Sequence, residues 1–272
     1  QERPIRLLVD ALKDLGAEIS YDKKDGYPPL RIRGKKITKS NVTLPANISS
    51  QYVSALMLIA TSLEKGLTID LVGEMTSVPY IRMTKTILDQ LGFDTSFKNN
   101  QIQIASATFI EPKIWTVESD WSSASYFYSI VTLSEIGSEI TLFAYKGKSL
   151  QGDSVLSAIY EHFGVTTDFS EDKITLKKIA VSNRNRLEVD LIKAPDIAQT
   201  ITVTCFGLGI SCQLTGLHTL KIKETDRLEA LKVELTKLGA DISVTDHSLH
   251  LQSRTNINAD IQIETHHDHR MA

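Results

Sequence analysis

Four stretches of the chain share one pattern of apolar and polar positions. In ALKDLGAEIS (residues 11–20), ILDQLGFDTS (87–96), IYEHFGVTTD (159–168) and LTKLGADISV (235–244), apolar residues spaced three and four apart meet a glycine and give way to alternation. That predicts a helix, a glycine at its C-terminal end and a strand. The glycines, Gly16, Gly92, Gly164 and Gly239, stand 76, 72 and 75 residues apart. A second series runs out of phase with the first: SSQYVSALMLIA from Ser49, SSASYFYSIVTL from Ser122 and PDIAQTITVTCF from Pro195, with starts 73 and 73 apart. Each opens with Ser or Asp, which cap helices well, and is then apolar nearly all round until Gly66, Gly137 or Gly209, so buried helices are predicted. Ile201 to Thr204 would make a strand by local propensity, and the repeat overrides this in favour of helix. One more step of 73 lands on Asp268 in THHDHRMA and predicts that a fourth such helix begins there.

Between these helices lie ITLFAYKG, KITLKKIA, RLEVDLI, TLKIKE and SLHLQS, which alternate like strands. The repeating unit is then two helices with several strands, present at least three times, which gives an α/β architecture of mixed sheets around buried helices. The chain has 272 residues, 42% of them apolar and 23% charged, the makeup of a globular protein of two domains. A net charge of -3 provides no basic field for nucleic acid or an anionic membrane, so small molecules are the expected partners. The apolar runs Val53–Ala60 and Ile201–Ile210 are too short or too interrupted to cross a bilayer and no signal-peptide pattern opens the chain, so a cytoplasmic protein is expected. Cys205 and Cys212, seven apart, fall on one side of a helix if their segment is helical, two turns apart and beyond the reach of a disulfide; buried thiols are expected. The start at Gln1 and the end at Ala272, just after a string of titratable residues, are read as cuts.

Two clusters could carry chemistry. LKIKETDRLEAL sets Lys223, Glu224, Asp226 and Arg227 at the entry to a helix, with Thr225 or Asp226 as its cap. Such a cluster is either a solvated cap or a corner that binds an anion and moves a proton beside it. THHDHR supplies His266, His267, Asp268, His269 and Arg270. Consecutive residues cannot all converge on one ion and no other His or Cys cluster completes a shell, so no metal is expected. At a helix N-terminus, Asp268 to Arg270 would instead favour an anionic ligand. Ser49, Ser50 and Gln51 offer hydroxyls and an amide at the matching helix start, as an ordinary cap or as a phosphate site. Pro195 and Asp196 bring a carboxylate to the third start, suited to accepting a proton from a hydroxyl.

The motifs KETDR and DHRMA, with SSQ at a helix start, ERP, GYPPL at Gly26–Leu30, SVPY at Ser77–Tyr80, SSASYF at Ser122–Phe127 and LQGD at Leu150–Asp153, occur in the order seen in the EPSP synthase family. The chain resembles that family from Glu2 to Ala272. The resemblance implies a two-domain enolpyruvyl transferase fold built from repeated βαβαββ units, an inside-out α/β barrel, incomplete at both ends. It implies a shikimate 3-phosphate domain over 1–118 and, over 119–272, a domain with most of the phosphoenolpyruvate contacts. Ser49, Ser50 and Ser77 would hold the shikimate phosphate, with Gln51 and Tyr80 against its ring. Arg3, Gln51, Arg227, His269 and Arg270 would bind phosphoenolpyruvate. Asp196 would bind the shikimate hydroxyls and serve as base, Lys223 would stand beside the attacking 5-hydroxyl, and Glu224 would protonate the methylene carbon.

The implied reaction is addition of the 5-hydroxyl to protonated phosphoenolpyruvate and elimination of phosphate, in a monomer with no cofactor. Val78 stands where many members have a basic residue and Thr219 where some have asparagine. The family's early lysine-serine stretch, its Asn-Gly-Thr turn and its late lysine fall outside these residues, so the chain alone is expected to be inactive. Two rival readings are a non-catalytic anion-binding scaffold and the enolpyruvyl transferase acting on UDP-N-acetylglucosamine. The second relies on a loop cysteine, whereas Cys205 and Cys212 lie in a predicted buried segment.

Overall fold

In the computed structural model, Gly16, Gly92, Gly164 and Gly239 all take positive φ angles, of 108°, 103°, 78° and 99°. That range favours glycine, which is why the four helix ends share it. At Gly164 a Cβ would also come within 2.2 Å of the Ala180 carbonyl oxygen. The structure describes all residues except 1–3, 47, 48, 74, 76, 77, 107–110, 183, 255 and 272. The chain divides into two units, Gln1–Trp115 and Thr116–Ala272.

In the first unit, helix α1 (Arg6–Asp14) leads into the antiparallel pair β1 (Glu18–Tyr21) and β2 (Leu30–Arg33). There follow β3 (Asn41–Pro45), α2 (Ser50–Ala60), β4 (Leu67–Val72), α3 (Val78–Leu91), β5 (Thr95–Lys98) and β6 (Gln101–Ile104). Their sheet runs β3-β4-β6-β5, with β3 parallel to β4 and the other pairs antiparallel. Val42 and Leu44, alternating with exposed residues on β3, turn inward and join Leu56 and Met57 of α2 in the core.

The second unit begins with α4 (Trp121–Leu133), β7 (Glu139–Phe143), α5 (Leu156–Glu161), β8 (Val165–Phe169) and β9 (Lys173–Lys178), whose sheet runs β7-β9-β8. It continues with β10 (Arg186–Asp190), α6 (Ala198–Leu208), β11 (Ser211–Thr215), α7 (Arg227–Lys237), β12 (Ile242–Val244) and β13 (Leu249–Leu251). The sheet order β10-β11-β13-β12 repeats that of β3 to β6 strand for strand, so both units contain a complete βαβαββ copy.

Helix α6 is rich in β-branched residues, and its own hydroxyls explain why it is helical. Thr200, Thr202 and Thr204 donate to the carbonyls of Ile197, Ala198 and Thr200 at 3.0, 2.8 and 2.7 Å, so no buried hydroxyl is left wanting. Thr204 also pairs with Tyr160 and Ser129, tying α6 to α5 and α4.

Several expectations need correction. TLKIKE is not a strand: residues His218–Ile222 form a 3-10 turn in which Leu220 is buried and Ile222 is 61% exposed, so the alternating pair shares no face. No helix begins at Asp268 among the described residues; the segment turns, with Asp268 N–H on Thr265 O and Met271 N–H on Asp268 O, both at 2.9 Å. Helix α4 starts one residue before Ser122, because Asp120 caps it by accepting from Ser122 N–H at 2.9 Å. It is also less buried than expected, for Phe127, Ile130 and Leu133 are exposed along one side.

The cysteines are not two helical turns apart. Gly209, at φ 70°, ends α6, and the Ile210 N–H closes on the Cys205 carbonyl at 3.0 Å, so the chain reverses into β11. Cys212 thereby comes back beside Cys205; both are buried and free, and the hydrogen bond with Cys212, with burial added, pushes the Cys205 thiol well above its ordinary range.

Candidate active site

Arg227 is the centre of the charged cluster in the second unit. Asp226 caps α7 by accepting from Glu229 N–H at 3.1 Å, which makes Arg227 the first residue of the helix and turns it inward. Its guanidinium is 2% exposed and bonded to three carboxylates: Nε to Asp268 Oδ2 at 2.7 Å, Nη2 to Asp268 Oδ1 at 3.1 Å, Nη1 to Asp196 Oδ1 at 2.9 Å and Nη2 to Glu224 Oε2 at 2.7 Å. The planar fork suits such bidentate pairing. Lys223 Nζ lies 3.4 Å from Asp196 Oδ1.

Asp196 sits in the 3-10 turn Pro195–Ile197 that leads into α6. Burial opposes its charge, but Lys223, Arg270 and Arg227 outweigh burial and hold the carboxyl below its ordinary value. Asp268 is 1% exposed. There too burial is overcome, by the bonds from Arg227 and from the Arg270 N–H, the latter at 2.9 Å, and the carboxyl is held low. The site is thus a largely buried ionic network in which Asp196 and Asp268 are held as carboxylates, with His269 exposed and Arg270 half-buried at its edge.

A second contact fixes the C-terminal segment that carries Asp268. Glu234, on α7 and 3% exposed, accepts from Lys237 Nζ at 2.8 and 3.0 Å and from Glu264 N–H at 3.0 Å, and pairs with His266 Nε2 at 2.8 Å. Despite burial, the Lys237, Glu264 and His266 bonds lower its carboxyl to about 2. The ligand atoms of Glu234, Glu264 and His266 lie within 4.8 Å of one another, but the Lys237 ammonium already matches the Glu234 charge. The group works as a staple that brings Asp268 to Arg227.

In the first unit, Ser49 is the N-cap of α2, Ser50 is its first residue and is buried, and Gln51 is exposed. Tyr80 is half-buried in the first turn of α3.

The sequence profile of the EPSP synthase (3-phosphoshikimate 1-carboxyvinyltransferase) family matches residues 1–272. The chain belongs to the EPSP synthase family. A 3-phosphoshikimate 1-carboxyvinyltransferase of Bacteroides fragilis (strain YCH46) is 43% identical over 276 residues, covering 100% of this chain and 66% of that protein. One from Haemophilus influenzae (strain PittEE) is 33% identical over 276 residues, with 100% and 62% covered. The chain therefore spans slightly less than two thirds of these relatives. The solved EPSP synthase of Acinetobacter baumannii has the same fold, with a TM-score of 0.72 at 21% identity, over 99% of this chain and 62% of that one.

Of the residues that the family resemblance singled out, Asp196, Lys223, Glu224 and Arg227 come together in one network. Arg270 acts on Asp196 through its charge, and His269 lies 3.6 Å from Asp268. Arg3 and Ser77 lie outside the described residues. Arg227, which the resemblance assigns to phosphoenolpyruvate, holds the protein's own Asp196, Glu224 and Asp268 and exposes 2% of its surface. Asp268 is a buried counter-ion, not part of an anion-binding helix start. Glu234 was missed, because a Glu on an amphipathic helix reads as solvated; its buried neighbours Leu231 and Leu235 were the available hint.

Proposed function

We propose that this chain is the part of a 3-phosphoshikimate 1-carboxyvinyltransferase that holds both substrates, and that the whole enzyme transfers the enolpyruvyl group of phosphoenolpyruvate to the 5-hydroxyl of shikimate 3-phosphate. Protonation of the methylene by Glu224 makes the adjacent carbon electrophilic, the 5-hydroxyl adds to it, and the new methyl group then returns a proton to Glu224 as phosphate leaves from the tetrahedral intermediate and the double bond re-forms. Asp196 takes the hydroxyl proton and Lys223 steadies the oxygen as charge develops on it. His269 and Arg270 take the acidic groups of phosphoenolpyruvate. Ser49, Ser50 and Ser77, with Gln51 and Tyr80, take shikimate 3-phosphate in the first unit. Domains of 1–118 and 119–272, and a monomer in the cytoplasm, complete the proposal; sedimentation checks the monomer.

The observation that carries this reading is the arrangement around Arg227. One guanidinium ties the proposed base, Asp196, and the proposed acid, Glu224, at 2.9 and 2.7 Å, and Lys223 is 3.4 Å from that base. Proton transfer needs an acid and a base held in fixed relation, and a buried planar cation supplies that. Calorimetric titration of the chain with shikimate 3-phosphate, then with phosphoenolpyruvate in its presence, tests the reading. Binding of both, with the phosphoenolpyruvate signal reduced at least tenfold in affinity by Arg270→Ala, is expected; a tenfold change corresponds to about 1.4 kcal/mol. Absence of shikimate 3-phosphate binding at millimolar concentration would overturn it.

A further inference from the structure

The pair Ser122 and Asp153 belongs to none of the roles assigned so far. Asp153 lies in the 3-10 turn Gly152–Val155 before α5, Ser122 is the second residue of α4, and the Ser122 hydroxyl donates to Asp153 Oδ2. Both residues are buried, at 1% and 3% exposure for Asp153 and Ser122. Gln151 secures the same junction: its Nε2 donates to Ser119 O at 2.8 Å, and its Oε1 accepts from Trp121 N–H at 2.9 Å. The second oxygen of Asp153, Oδ1, is buried and has no hydrogen-bond partner among the described residues. Charged groups from three other places bear on Asp153: Asp120 at the cap of α4, Asp196 in the turn before α6, and Arg270 in the last turn.

A buried carboxylate with one oxygen unpaired and two anionic neighbours costs far more than the neutral acid in the same place. Burial, reinforced by Asp196 and Asp120 against the Ser122 bond and Arg270, pushes this carboxyl up to about 6. Asp196 is less deeply buried and lies against Lys223, Arg270 and Arg227, and is held low. Two neighbouring acids whose surroundings drive them apart divide the labour of donor and acceptor. We propose that Asp153, pinned to the start of α4 through Ser122 and with its second oxygen buried and unpartnered, is the one of the two acids that holds a proton, and that Asp196 remains the anion. The proposal deepens the active-site reading above and rests on it for what Asp196 does.

Carbon-detected NMR titration of the aspartate carboxyls in the intact chain tests this, with Asp153→Asn to assign the signal. A midpoint near 6 that vanishes in Asp153→Asn is expected. Asp196→Asn removes the like charge and moves that midpoint down; Ser122→Ala removes a bond that favours the charged form and moves it up. A merely structural role would change the melting of these variants and leave the midpoints in place. An Asp153 midpoint near the ordinary value of about 4, or one that does not respond to Asp196→Asn, overturns the proposal. If Asp196→Asn fails to fold for want of a partner to Arg227, the wild-type midpoint and the Ser122→Ala shift decide. Failure of substrate binding by calorimetry would sink the transferase reading and leave these midpoints unmoved, so the two are separable.

Discussion

The two complete βαβαββ copies have one topology and opposite chemistry. Residue 49 of the first copy and residue 195 of the second occupy the same helix start, so Ser49, Ser50 and Gln51 answer to Pro195, Asp196 and Ile197. At the second helix, Tyr80 stands 12 residues before Gly92, and Arg227 stands 12 before Gly239. SVPY of the first copy is thus ETDR of the second. Where the first copy puts hydroxyls and an aromatic ring, suited to accept a bound anion, the second puts two carboxylates and a guanidinium that are already bonded to each other. The fold supplies helix starts with unpaired donors, and the residues placed there decide whether those starts meet a ligand or a neighbour's side chain.

The strongest way to break the comparison is to remove the guanidinium. Arg227→Met leaves the fully buried Asp268 without its principal cation and Asp196 with only Lys223 and Arg270, and a broken buried pair costs about 3–5 kcal/mol. Urea unfolding is expected to show a loss of that size; a loss below about 1 kcal/mol would mean that the network relaxes to water and that the second copy is no more committed than the first.

Next comes an exchange of residues between the copies. Ser50→Asp gives the first helix start the carboxylate of the second. If the first start receives the shikimate phosphate, affinity falls by about a hundredfold, roughly 2.7 kcal/mol. The melting temperature is expected to fall as well, because Ser50 is buried and an acid in the first turn offsets only part of the cost of burying a carboxylate. Unchanged affinity would mean that Ser50 is a packing residue.

The third effect reads the staple. The folded value of Glu234, about 2, lies below its ordinary 4.5, so its contribution to stability is present above the ordinary value and is lost as pH falls toward 2. Its size is on the order of 3 kcal/mol. Comparing acid unfolding of the chain with that of Glu234→Gln isolates this contribution from that of Asp153, whose raised value acts in the opposite direction. The variant is expected to be less stable at neutral pH and to converge with the parent near pH 2. Equal stability at pH 7 would remove Glu234 from the account of how Asp268 is placed.

Much of the frame was legible because local signals agreed with the period: the four glycines, the capping Asp226, and the density of charge in KETDR. Helix α6 was legible only through the repeat, as its threonines satisfy themselves by bonds that propensity does not register. What could not be read depended on contacts distant in sequence. That Arg227 would spend itself on Asp268, 41 residues away, is a matter of where the last segment runs, and Glu234 steers that segment from a helix that reads as ordinary. The Asp268 segment met the period, and its described residues form turns, with Asp268 N–H on Thr265 O and Met271 N–H on Asp268 O. Asp153 was visible only as part of a family motif; its burial and unpaired oxygen exist only in three dimensions.

The smallest effect sharpens the comparison in the helix interior. Gln199 stands four residues after Pro195, as Val53 stands four after Ser49, and both are buried, at 5% and 2% exposure. Val53 contributes to an apolar core, whereas both amide atoms of Gln199 are buried with no hydrogen-bond partner among the described residues. An unmade buried hydrogen bond costs about 1–3 kcal/mol, and an apolar side chain of similar volume avoids it. Gln199→Met is therefore expected to stabilise the chain by about 1 kcal/mol in urea unfolding. If it destabilises the chain instead, the amide is satisfied in solution by a buried water, and the second copy keeps a polar group in its helix for a reason that the first copy does not share.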